Sequence, residues 1–201
     1  SVKSKFRKIN RGLILSLLVI LGIVAYYVVL GIKAAPEKRL MDETLTGFFQ
    51  QLAPAYLVPD EYKGEDVSRE DVEKLSAELE AKFAPYFADT DSLSQFMEDN
   101  IIPTLESQTI YPTEEVTKAV CDYEKITEAD IDGDTAVVKA RAETSSEIQY
   151  YNVSYLEDGT IVKHPSGTSG GGSYTWETTI SFTMQKVDGA WLITGYAGYW
   201  L

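Results

Sequence analysis

His164 is the only histidine of the chain. It stands between Lys163 and Pro165 in a loop-like segment, which gives a Ser-His-Asp relay no framework. A metal site built on several histidines is excluded by count. Cys121, the only cysteine, can form no internal disulfide. It falls on the apolar side of an alternating segment and reads as a small buried hydrophobe, not a nucleophile. Glu128, Asp130, Asp132 and Asp134 crowd one hairpin and would attract Ca²⁺. Glycine sits at the wrong position for an EF-hand loop, however, and Arg141 stands where the closing glutamate belongs. A solvated turn is the better reading. Gly167 and Gly170 to Gly172 do not lie between a strand and a helix, so they form a loop and not a phosphate cradle. The least ordinary residues are aromatic. Tyr150, Tyr151, Trp176, Trp191, Tyr196 and Trp200, with Tyr155, Tyr174 and Tyr199, cluster in the second half of the chain. On a concave sheet face they would line a pocket; they serve equally as core or as an exposed patch awaiting a partner. Asp122, Glu124 and Glu143 all fall on polar-facing positions, so no acid and base converge. The residues therefore indicate no catalytic group, no metal and no cofactor.

The elements that position these residues change character near Glu115. Before it the apolar spacing is helical. Leu40, Met41, Leu45, Phe48, Phe49 and Leu52 form one stripe, running from Pro36 to Pro54. After a turn-rich break, Ser68 with Asp71 resembles a capping box ahead of Val72, Leu75, Leu79 and Phe83. Ser92 with Gln95 opens a third helix, which Pro103 stops or kinks. From about Glu115 the period is two. Ala119, Cys121 and Tyr123 alternate with polar residues, as do Ala136, Val138, Ala140 and Ala142, and Trp176, Ile180, Phe182 and Met184. One sheet face is then buried and the other wet. Asp132-Gly133, Asp158-Gly159 and Asp188-Gly189 sit between these runs as hairpin turns. The segment 173–187 is expected to pair with 190–201, burying Trp176, Phe182 and Trp191.

Residues 12–32 carry no charge, and a helix of that length spans roughly the 30 Å hydrocarbon core of a bilayer. Lys3, Lys5, Arg7, Lys8 and Arg11 precede it with no acid, which places that side in the cytoplasm. A cleaved signal peptide is the competing reading. Its apolar region is usually about 7–15 residues, however, and Lys33 stands where a cut after Ala35 wants a small residue. After Lys33 come twelve of the basic residues and all 31 acids, a formal charge of −19. Such a surface repels nucleic acid and anionic headgroups and suits a solvated exterior domain. Asn152-Val-Ser154 is a glycosylation sequon, relevant only in a glycosylating host.

Helices first and a curved antiparallel sheet of four to six strands after is an α+β plan. The ending SYTWETTISFTMQKVDGAWLITGYAGYW resembles the last hairpin of nuclear transport factor 2-like domains, and ITEADIDGDTAVVKARAE resembles their preceding hairpin. Three helices ahead of the sheet match as well, so the resemblance covers residues 36–201. The segment 149–173 departs from it by adding a small hairpin and a glycine-rich loop. The resemblance implies a cone whose interior is a pocket, an active site or core. The expected organisation is a basic cytoplasmic tail (1–11), a transmembrane helix (12–33) and an extracytoplasmic domain (34–201; helices 36–110, sheet 115–201). This plan is similar to bitopic assembly components of type IV secretion and conjugation machines. The expected function is a non-catalytic, membrane-anchored interaction domain. Its partners would be the bilayer through residues 12–33 and a membrane or envelope protein. A tethered small-ligand-binding domain or an enzyme using the cone are the alternatives.

Overall fold

The computed structural model describes residues 11–63, 67–157, 160–166 and 172–198. The chain divides into two compact units after Arg39. Helix α1 (Arg11–Tyr56) begins in the first of them. There its side chains from Leu17 to Val29 are more than half exposed wherever they are large and apolar. Among the described residues this is one helix long and apolar enough to cross a membrane.

The second unit, Leu40–Leu201, is α+β. Its helices are the remainder of α1, then α2 (Arg69–Phe83), α3 (Thr90–Phe96) and α4 (Ile102–Gln108). They cover one face of a five-stranded antiparallel sheet: β1 (Glu114–Asp132), β2 (Thr135–Tyr155), β3 (Ile161–Pro165), β4 (Gly172–Val187) and β5 (Ala190–Ala197). The order is β1-β2-β4-β5, with β3 paired to the far end of β2. Alternation sets which face is covered: Val138, Ala140, Ala142, Ile180, Phe182 and Met184 are all fully buried. The alanines leave room for rings. Phe48 of α1 packs edge-on to Phe96 (5.3 Å between centroids) and to Phe182 (5.8 Å), and Phe83 meets Phe96 at 4.9 Å. Those separations lie in the favourable range for edge-to-face pairs. Polar ties fix the helices to the last strand. Thr44 Oγ1 donates to the Trp191 carbonyl at 2.7 Å, and Ser92 Oγ donates to that of Thr194 at 3.1 Å.

The expected helices and sheet are present, with three local corrections. The third helix is capped by Asp89, whose Oδ1 accepts from Ser92 N at 2.7 Å, so Ser92 lies inside the helix and not at its start. Pro103 neither stops nor breaks the path. A π turn, Met97–Ile101, precedes it, and the proline falls in the first turn of α4, where its missing N–H costs nothing. The last hairpin is shorter than expected. Only Ser181–Val187 pair with Ala190–Ala197 among the described residues, while on its other edge β4 pairs with β2 from Gly172 to Gln185. A bulge where β5 passes from Gly195 to Ile193, and Gly198 at φ +143°, take the chain out of register. A Cβ at Gly198 would also stand 3.3 Å from the Ile180 backbone. Phe182 and Trp191 are fully buried as expected; the Trp176 side chain lies outside the described residues. Two of the three Asp-Gly turns are seen, and the last has positive φ at both Asp188 (51°) and Gly189 (87°), the conformation that suits a two-residue hairpin. Asp158-Gly159 lies outside the described residues.

Candidate binding site

The aromatic residues do not converge on one pocket. Trp191 is core. Tyr196 is half-buried, packs on Phe96, and its hydroxyl accepts from Asn100 Nδ2 at 2.6 Å. Tyr150 is half-buried, and its hydroxyl is hydrogen-bonded to that of Tyr174, which with its desolvation raises its pKa. Tyr151 is half-buried and donates to Glu115 at 2.9 Å. The Trp176 side chain and all of Trp200 lie outside the described residues. Exposed apolar rings remain at Tyr111, Tyr155 and Tyr174.

The other chemistry-bearing residues are dispersed. His164 does not lie in a loop as expected: it is exposed on β3, paired opposite Asn152, because the chain after Tyr155 turns back and hydrogen-bonds along the end of β2. Cys121 is buried, and desolvation first and the charge of Asp122 second push its thiol up to about 12, so it is unreactive at neutral pH. Glu128 of the acidic hairpin pairs with Lys139 at 2.7 Å. Among the described residues, no three His, Cys, Asp or Glu side chains are placed to hold a metal ion.

Of the concavities among the described residues, two at the far end of the sheet bear on binding. The first is a cavity of about 210 Å³ between Tyr56, Thr104, Glu114, Val116, Ser146 and Ile148. Ser146 and Tyr56 are buried on its wall, and Tyr56 is raised in pKa chiefly by that burial. Two residues along β2 from Ser146, Thr144 Oγ1 is fully buried with no hydrogen-bond partner among the described residues. An unsatisfied buried hydroxyl costs about 1–3 kcal/mol, so Thr144→Val should leave stability unchanged or raise it by about 1 kcal/mol in urea unfolding. A loss would mean that a bound group uses the hydroxyl.

The second is a groove of about 580 Å³ between β3 and the segment joining α4 to β1. Ile110, Pro112, Ile161 and Val162 form its apolar walls, and Lys63 and Lys163 its charged ones. Behind it, Lys63 Nζ donates to Glu115 at 2.8 Å. This hydrogen bond lowers the Glu115 pKa, opposed by desolvation and aided by the Tyr151 hydroxyl. Burial alone would lower that of Lys63, but the bonds to Glu115 and Asp60 outweigh it and raise it. The unfolded chain therefore takes up the Glu115 proton first. The contribution of Glu115 is complete above its ordinary value of 4.5 and is lost as pH falls through the lower folded value. Tm followed from about pH 6 to 3 should fall more steeply in the native chain than in Glu115→Gln. Equal slopes would show that the pair adds nothing.

Neither concavity was legible in the sequence. Lys63 lies in a turn-rich break and Glu115 at the change of period, so no spacing joins them.

No family model matches the sequence, and no curated protein matches it. Solved structures similar to it include a nuclear transport factor 2-like superfamily protein from Salmonella enterica serovar Typhimurium. That match has 14% identity and a TM-score of 0.31, and covers 53% of this chain and 58% of that one. Another is a periplasmic fragment of TraM, with 13% identity and a TM-score of 0.36, covering 79% of this chain and 97% of that one. A third is the intermembrane space region of the chloroplast protein ARC6, with 11% identity and a TM-score of 0.31, covering 66% and 94%. Likeness at this level concerns the fold alone.

Proposed function

We propose that the chain is a membrane-anchored, extracytoplasmic, non-catalytic protein-interaction domain, a subunit or accessory of an envelope complex. The observation that carries this reading is the interior. Phenylalanine rings from α1, α2, α3 and β4 fill the space where a cone-shaped domain would hold substrate. The buried polar residues among those described are Gln108, Thr109, Thr144 and Ser146, none of them an acid or a base at neutral pH. General acid-base chemistry needs such a group at the reacting centre. The basic stretch at residues 3–11, the uncharged run and the acidic remainder support an inside-to-outside orientation. An anchor raises the effective concentration of the domain toward neighbouring membrane proteins without any new contact.

A photo-crosslinker at Tyr155 or Tyr174, exposed at the far end of the sheet, should capture one defined neighbour in native membranes. The same group at the exposed Lys82 of α2 should not. Uniform background from all three sites would overturn the proposal.

The cavity at Tyr56 and Ser146 favours a second reading, a tethered domain binding a small polar ligand. Native mass spectrometry of the full chain released from membranes would then show a retained small molecule, and Tyr56→Phe with Ser146→Ala would lose it.

A further inference from the structure

The cavity at Tyr56 and Ser146 has walls that are held in place. Gln108, only 2% exposed, ties three of its residues together. Its Nε2 donates to the carbonyls of Tyr56 and Thr104, each at 3.1 Å, and its Oε1 accepts from the Val116 N–H at 2.8 Å. The neighbouring Ser107 Oγ donates to Glu114 Oε1 at 2.6 Å. Tyr56, Thr104, Val116 and Glu114 are therefore fixed before any ligand arrives, and a preformed site saves the cost of ordering it. Tyr56 and Ser146 are each 4% exposed, and their hydroxyls make no hydrogen bond among the described residues. A buried hydroxyl left unpaired costs free energy, so both gain from a partner in the cavity. Thr104 Oγ1 already donates, to the Asn100 carbonyl at 3.3 Å, and is left as an acceptor. Glu114 makes no ion pair among the described residues, and none of the residues lining the cavity is Lys, Arg or His. The walls thus offer more acceptors than donors, and one negative charge, beside the apolar surface of Val116 and Ile148. An anion finds no cation there, and the formal charge of −19 after Lys33 gathers cations and turns anions away.

Resting on the small-ligand reading above, we propose that this cavity binds a small primary amine in its ammonium form. An ammonium brings three N–H donors and no acceptor, which complements the oxygens of Tyr56, Thr104, Glu114 and Ser146. Its charge meets the Glu114 carboxylate, the stronger kind of hydrogen bond, while its carbon body lies on Val116 and Ile148. An apolar cavity of about 150 Å³ holds benzene, so about 210 Å³ has room for a ligand of about six to ten non-hydrogen atoms.

The test uses the full chain in nanodiscs of zwitterionic lipid, with empty nanodiscs as the blank. Saturation-transfer NMR is run on a panel of primary amines of that size, each beside its alcohol, carboxylate and trimethylammonium counterparts. At least one amine should bind, and its three counterparts should bind about tenfold more weakly or worse. This comparison is made on the native chain and needs no variant to fold. Glu114→Gln, whose amide oxygen can still accept from Ser107, should weaken the amine by about tenfold or more and leave the alcohol unchanged. Tyr56→Phe and Ser146→Ala should each weaken the amine by about two- to tenfold. Amine binding indifferent to Glu114→Gln, or a trimethylammonium counterpart bound as tightly as the amine, would overturn the proposal. Alcohols or carboxylates that bind in preference, and are lost in Tyr56→Phe with Ser146→Ala, sink the amine and leave the small-ligand reading standing. No binding by any compound, with no small molecule retained in native mass spectrometry, sinks both.

Discussion

Phe48→Ala is expected to destabilise the full chain by about 3–5 kcal/mol, as other buried phenylalanine truncations do. Phe48 is fully buried and central to the core. Its ring packs against Phe49 at 5.4 Å, Phe83 at 5.7 Å, Phe87 at 6.0 Å, Phe96 at 5.3 Å and Phe182 at 5.8 Å. It thus joins α1 to α2, to α3 and to β4, and its loss opens a cavity that none of them can close alone. Rigid rings on three helices and a strand have little freedom to collapse into the space, which puts the cost toward the upper part of that range. Domains are stable by only about 5–15 kcal/mol, so the variant should unfold at much lower urea with an unchanged m-value. Phe182→Ala removes one of the same contacts, to Phe48, together with another to Phe49, and should cost a similar amount. A loss below about 1 kcal/mol for Phe48 would mean that the rings are not the keystone of the core, and the argument against an internal active site would lose its footing.

The parts of the fold that were legible are those written in long periodic runs. The stripe from Met41 to Leu52 and the alternation from Ala136 to Ala142 and from Ile180 to Met184 place their residues on the faces the structure buries. Ser68 and Asp71 form the reciprocal cap that their spacing announces. What was not legible depends on local breaks in period. The bulges in β1 after Val116, Tyr123 and Ile126 shift its inward side chains, so that no single alternation runs through the strand. The π turn at Met97–Ile101 has no residue signature of its own and converts Pro103 from a breaker into a first-turn residue. The hairpin register depends on Gly195, Gly198 and a one-residue bulge, where pairing patterns carry no signal. The aromatic residues mislead for a related reason. Side-chain type cannot tell the fully buried Trp191 from the exposed Tyr174, because both fit an alternating strand and only the packing of helices on one face separates them.

Introducing two acids into the uncharged run should release the chain from membranes. In the first unit Ile20 and Val24 lie near the middle of residues 12–32, and both are more than half exposed on the helix. Exposed apolar side chains on a helix of this length are tolerated where lipid is the solvent and are a liability in water. Each aspartate at the centre of a span costs about 2.5–3.5 kcal/mol on the insertion scale, so Ile20→Asp with Val24→Asp should cost about 5–7 kcal/mol and abolish insertion. The double variant should appear in the supernatant after alkaline carbonate extraction, where the native chain stays in the pellet. A control pair, Ile20→Leu with Val24→Leu, keeps the hydropathy and should remain in the pellet. Orientation is read in the same cells. Protease added outside should digest the mass that follows residue 35 of the native chain and of the leucine control. In the aspartate variant that mass should be protected, since an uninserted chain stays inside. A native chain already in the supernatant would end the anchor reading, and with it the claim that proximity to membrane neighbours contributes to binding. A native chain in the pellet whose outer mass resists protease would keep the anchor and reverse its direction. The acidic unit would then face the cytoplasm, and its partner would have to be sought on that side.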